Sequence, residues 1–131
     1  LQMGRKLLDE GKIEEARAMF ADGLSFHPES IDLQVGMIRA LLKLNQASKA
    51  MGLLQELPAT GIPNWKRDLL TGRVLAILGH WDEAKRLARE VLSEMPELGE
   101  AHYLMGMVYE NNDECEKAAE AYRTAFAKGY R

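Results

Sequence analysis

Gly79-His80-Trp81-Asp82-Glu83-Ala84-Lys85-Arg86-Leu87-Ala88-Arg89-Glu90-Val91-Leu92-Ser93-Glu94-Met95-Pro96 reads as a turn glycine, one amphipathic helix and a proline stop. Ala84, Leu87, Ala88, Val91, Leu92 and Met95 recur at the three-and-four spacing of one buried helical face, with most of the charges between them. Stepping back 68 residues reaches Gly11, Ala16 and Pro28, which hold the same places in a second such helix. The interval is two periods of 34. Ala16, Ala50, Ala84 and Ala118 mark every period, and the turn slot holds Gly11, Asn45, Gly79 and Asp113 in succession.

Each period predicts a pair of helices: 1–10 with 12–26, 30–43 with 46–57, 64–77 with 81–94, and 98–111 with 114–128. All four prolines fall between these segments, where a missing N–H costs least. The connections within a pair are very short, which makes the two helices antiparallel neighbours. One such hairpin cannot bury its own apolar face, so successive copies must stack. Gly4, Gly72 and Gly106 keep one register, with Ile38 in the vacant slot, and small residues there let two helices cross closely.

These residues resemble the tetratricopeptide repeats, whose 34-residue pattern carries a large residue, Leu-Gly, Tyr, Ala, Phe and Pro. The fourth copy is nearest, with His102, Met105-Gly106, Tyr109, Ala118 and Tyr122. The third has Gly72, Leu75, Ala84, Ala88 and Pro96; the first has Met3-Gly4, Leu7, Ala16, Phe20 and Pro28. The second departs most, with Ile38, Leu41, Ala50 and Leu54, and the usual tryptophan is replaced by Gln34, Asp68 and His102. The resemblance implies an all-α, right-handed α-solenoid of four antiparallel hairpins. It forms a single domain over 1–131, with repeats at about 1–29, 30–63, 64–97 and 98–131. Pentatricopeptide repeats, which read RNA, have a period one residue longer and are usually basic.

The net charge of −3, from 17 basic and 20 acidic residues, supplies no global field for nucleic acid or an anionic membrane. No apolar run has the ~18 residues of a membrane span. The lone Cys115 excludes an internal disulfide and a cysteine-rich metal site, and it fits a reducing, cytoplasmic setting. It shares its slot with Ile13, Ala47 and Trp81, so a small hydrophobe at a semi-buried helix start is expected. The three histidines lack the spacing of a metal helix, and no serine sits in a nucleophile elbow. No enzyme activity, cofactor or metal is expected.

Arg5, Arg39 and Arg73 again stand 34 residues apart, with Met107 in the fourth slot. In tetratricopeptide arrays the first helix of each pair lines the concave groove, so the resemblance implies a cationic ladder there. One turn earlier on the same helices come Leu1, Val35, Leu69 and Tyr103, an apolar stripe beside it. Lys43 and Lys66 add positive charge in the middle, while Glu100 and Glu110 make the far end acidic. The expected ligand is a protein segment or peptide with carboxylates toward one end and apolar side chains along it. Solvated arginines, or arginines paired with internal acids, are the competing reading. The chaperone-tail clamp of some family members is not reproduced, because the corresponding slots hold Leu1, Arg5 and Gly36.

The function expected is therefore a non-enzymatic scaffold or adaptor, with a structural spacer or oligomerisation arm as the alternative. Leu1 enters directly into helical pattern, which reads as a piece of a longer chain. Leu1, Met3, Tyr122 and Phe126 would be partly uncovered at the two ends, and self-association through the terminal helices is expected.

Overall fold

Left-handed turn residues punctuate the chain. The structure, a computed structural model, describes residues 12–58 and 60–130. Among them are seven helices and no strand: α1 (Ile13–Phe26), α2 (Ile31–Lys43), α3 (Ala47–Glu56), α4 (Asn64–Ile77), α5 (Trp81–Glu94), α6 (Gly99–Asn111) and α7 (Cys115–Ala127). Each begins and ends within one residue of the sequence expectation. The first expected helix, 1–10, lies outside the described residues, as do Arg5 and the other positions read there.

Between the helices of a hairpin the chain turns through Asn45, Gly79 and Asp113, all at positive φ (59°, 91° and 61°). At each turn two backbone N–H groups reach back to carbonyls that the helix end leaves unpaired. Asn45 donates to Leu42 and Gln46 to Leu41 (3.1 and 2.8 Å), Gly79 to Ala76 and His80 to Leu75 (3.1 and 2.8 Å), and Asp113 to Glu110 and Glu114 to Tyr109 (3.1 and 2.9 Å). This paired closure is the Schellman cap, and it needs a residue that tolerates the left-handed region. The next helix starts at once. Its fourth residue is the periodic alanine, whose N–H donates to Lys12, Gln46, His80 or Glu114, the residue before the helix. Ala16, Ala50, Ala84 and Ala118 are all buried, at 0, 0, 0 and 4% exposure.

The chain divides into two compact units, Leu1–Ile62 and Pro63–Arg131. In the first unit Ser30 caps α2, its hydroxyl accepting from the Leu33 N–H. Ala16, Phe20, Leu33 and Ala40 form a core between α1 and α2. A Cβ on Gly36 would stand 2.3 Å from the Phe20 ring, so the missing side chain is what lets that ring seat.

In the second unit α6 packs against both helices of the preceding hairpin and against α7. Leu69, Ala84, Ala88, Val91, Ala101, Leu104 and Val108 belong to one core, with Trp81, Leu92 and Met107 packed on its margin. The recurring glycine slot is filled differently in the two hairpins. A Cβ on Gly72 would meet Leu104 of the next hairpin at 2.9 Å, whereas one on Gly106 would meet the Tyr122 ring of its own hairpin at 2.6 Å.

Candidate functional site

The first helices of the hairpins, α2, α4 and α6, carry the residues singled out for partner binding. On α2, in the first unit, Val35 is buried at 6% exposure, Arg39 is half-buried and Lys43 is exposed one turn further on. Arg39 and Lys43 share a face because four residues complete about one turn. Lys43 also closes the last turn of α2, where a cation complements the helix dipole.

In the second unit, Lys66 is half-buried in the first turn of α4, and Leu69 is fully buried in the core. Arg73 is buried too, at 7% exposure, and its Nη1 donates to Glu100 Oε2 at 2.9 Å. Glu100 is 8% exposed. The guanidinium carbon lies 5.7 Å from the Tyr103 ring centroid and 6.0 Å from that of Tyr130. Burial opposes the charge, yet Glu100, Tyr130 and Tyr103 together hold the Arg73 pKa above its ordinary value. Its Nε is buried without a hydrogen-bond partner. Arg73 is therefore the internally paired arginine of the competing reading, and Glu100 is its counter-ion rather than an acidic end of a groove. Val35, Leu69 and Arg73 are thus buried, whereas Arg39, Lys66, Tyr103 and Met107 are half-buried and Lys43 is exposed.

Tyr103 joins an aromatic cluster that the sequence reading did not foresee. Its ring is 5.3 Å from Tyr122 and 4.9 Å from Tyr130, tilted 48° and 41°. The Tyr122 hydroxyl donates to Glu110 Oε1 at 2.7 Å. Burial, then that bond and the Glu110 charge, push its pKa well above the ordinary phenol value. The signal lay in the fourth copy, where the proline slot holds Tyr130.

Two family models described as tetratricopeptide repeat match residues 7–61 and 69–130. The chain belongs to the tetratricopeptide repeat family. Its fold class is that family's all-α repeat solenoid, and arrays of this family are protein-interaction scaffolds. Comparison with curated proteins finds no match. Among solved structures, MamA 41-end from Desulfovibrio magneticus RS-1 is similar at 20% identity and TM-score 0.68, over 97% of this chain and 72% of that one. MamA MSR-1 is similar at 20% identity and TM-score 0.62, over 98% and 74%. At this identity the likeness is one of fold.

The tetratricopeptide pattern also explains the polar residues in the tryptophan slot. His102 Nε2 donates to the Pro96 carbonyl at 2.9 Å, and Gln34 Nε2 donates to the Pro28 carbonyl at 2.9 Å. Each thus fastens its helix to the joint with the preceding repeat. Among the described residues no group of three or more His, Cys, Asp or Glu is arranged to hold a metal ion, and no helix is long and apolar enough to cross a membrane. Cys115 is exposed, which corrects the expectation of a semi-buried thiol. Its counterpart Trp81 packs on the core of the second unit.

Proposed function

We propose that the chain is a non-enzymatic scaffold or adaptor that holds a partner peptide or helix on the first helices of its tetratricopeptide hairpins. The observation that carries this reading is the cationic pair of the half-buried Arg39 and the exposed Lys43, one turn apart on α2. Such a pair suits carboxylates, since arginine donates to them bidentately and lysine adds a mobile point charge. On the second unit the reachable residues are Lys66 on α4 and the half-buried Tyr103 and Met107 on α6. These favour a ligand that also carries apolar side chains. Exposed charges contribute little affinity each, about 0–1 kcal/mol, so their role is specificity and rate of capture.

A fluorescent peptide array graded in Asp/Glu and Leu content provides the test. Arg39→Glu with Lys43→Glu weakens binding of acidic, Leu-bearing peptides about tenfold in ~50 mM salt, and the difference shrinks in ~500 mM salt. Unchanged binding would sink the proposal. The reversal of Arg73 is unsuitable here, because it places two carboxylates in one buried site.

A further inference from the structure

Where α1 hands over to α2, the first unit is hollow. An open cavity of about 510 Å³ is lined by Met19, Asp22, Gly23 and Phe26 of α1 and by Leu33 of α2, with His27 and Glu29 on the connection between the helices. The α1 positions fall within about 100° of arc, so they form one face of that helix. Gly23 opens it. Two periods later the same slot holds the buried Val91, whereas a Cβ on Gly23 would stand 3.0 Å from both Leu33 methyl carbons. Leu33 is therefore the floor in place of that valine. Phe26 forms a wall and is 80% exposed. Its exposure belongs to its slot, because the counterpart inside the array, Glu94, is exposed as well.

The charges around this apolar hollow say what fits it. Asp22 and Glu29 are exposed carboxylates, and among the described residues neither has an ion-pair partner. The cavity also lies at the carboxyl end of α1, the negative pole of the helix, whose last turn holds no basic residue. Phe26 adds the face of a ring, which attracts a cation within about 6 Å of its centroid. Arginine answers each of these features. Its fork takes a carboxylate bidentately, its plane stacks on an aromatic ring and its alkyl stem covers apolar surface. The cavity volume falls in the range of about 300–1,000 Å³ that ligand sites occupy, which leaves room for an apolar neighbour of the arginine. We infer that the hollow between α1 and α2 docks an arginine side chain of a partner protein, flanked by an apolar residue. Leu33 lies about 120° round α2 from Arg39 and about 80° from Lys43, so this site is separate from the cationic pair and takes the opposite charge. It rests on none of the observations behind the acidic-peptide reading.

Methyl and aromatic NMR of the 131-residue chain, titrated with acetyl-Leu-Arg-Leu-amide, tests it. The titration is run in ~50 mM salt at about pH 8, above the ordinary histidine range. The Met19 and Leu33 methyl signals and the Phe26 ring signals move together and saturate. The citrulline analogue, which keeps the shape of arginine and loses its charge, binds about three- to fivefold more weakly. Phe26→Ser weakens the arginine peptide by a similar factor and leaves the thermal melt in place, because the ring is exposed. Asp22→Asn with Glu29→Gln does the same, and ~500 mM salt narrows the gap between the two peptides. Arg39→Glu with Lys43→Glu binds the arginine peptide at least as well as wild type, so this site and the acidic-peptide site fail separately. Signals that stay still at ~20 mM peptide overturn the inference, as does a citrulline peptide that binds as well as the arginine one. A Phe26→Ser variant that binds like wild type overturns it too.

Discussion

Glu100→Gln is the substitution that separates an internally paired Arg73 from a displayed one. The change keeps shape and leaves an oxygen able to accept from Nη1, yet it removes the counter-charge of a guanidinium only 7% exposed. Unit charges about 4 Å apart interact by about 4 kcal/mol at an effective dielectric of 20. Part of that is returned by the neutral hydrogen bond and by the Tyr103 and Tyr130 rings, each worth about 0.5–2 kcal/mol to a desolvated cation. A loss of about 3 kcal/mol follows, at the lower edge of what breaking a buried pair costs. For a unit of roughly 70 residues this lowers Tm by ~12–24 °C, at 4–8 °C per kcal/mol. Differential scanning calorimetry and urea unfolding read it directly. The double variant Arg73→Met with Glu100→Leu recovers most of the loss, since a packed apolar pair replaces two desolvated charges. A Glu100→Gln protein within about 0.5 kcal/mol of wild type refutes the reasoning, for it means that water or another group already balances Arg73.

Gly106→Ala puts a methyl group against the Tyr122 ring and destabilises the second unit by about 1–3 kcal/mol in urea unfolding. Asp113→Gly relieves a left-handed φ of 61° and raises stability by up to about 1 kcal/mol, seen as a higher denaturation midpoint. With its pKa raised in the fold, Tyr122 keeps its full contribution below the ordinary phenol pKa of about 10 and loses it as pH climbs toward the folded value. A titration followed at 295 nm shows one of the four tyrosines ionising late, and Tyr122→Phe abolishes that step. His102→Ala removes a fastening to Pro96 and costs about 1 kcal/mol by thermal melt.

Periodicity made the fold legible because each of its marks has one backbone job. The turn slot must accept a left-handed residue, and the alanine four residues into the next helix must be small enough to vanish into the core. Those demands act on the chain within a few residues, so a single sequence carries them. The candidate site was legible only in part, because a slot says which face a residue occupies and not what covers it. Arg39 and Arg73 hold the same slot, yet one is half-buried and the other is buried against Glu100, 27 residues further on. Nothing about the spacing distinguishes them. The difference comes from the next first helix, which brings a carboxylate and a tyrosine to Arg73. Tyr130 was hidden for a similar reason: it sits where the pattern asks for proline, and only the folded chain end shows it beside Tyr103.

The two ways of filling the glycine slot make the third and fourth copies unequal parts. The third has Gly72 and Ala88 where the fourth has Gly106 and Tyr122, and it takes the side chain of Leu104 from its neighbour to occupy the space. The fourth fills the space from its own sequence. A duplication or shuffling event that moved the third copy away from a successor bearing Leu104 would leave a hollow of about a leucine side chain, the kind of defect worth 2–5 kcal/mol. Copies of one ancestral template have in this way become ordered, each legible only in its place, so the array can lengthen by inserting whole neighbours more readily than by rearranging the ones it has.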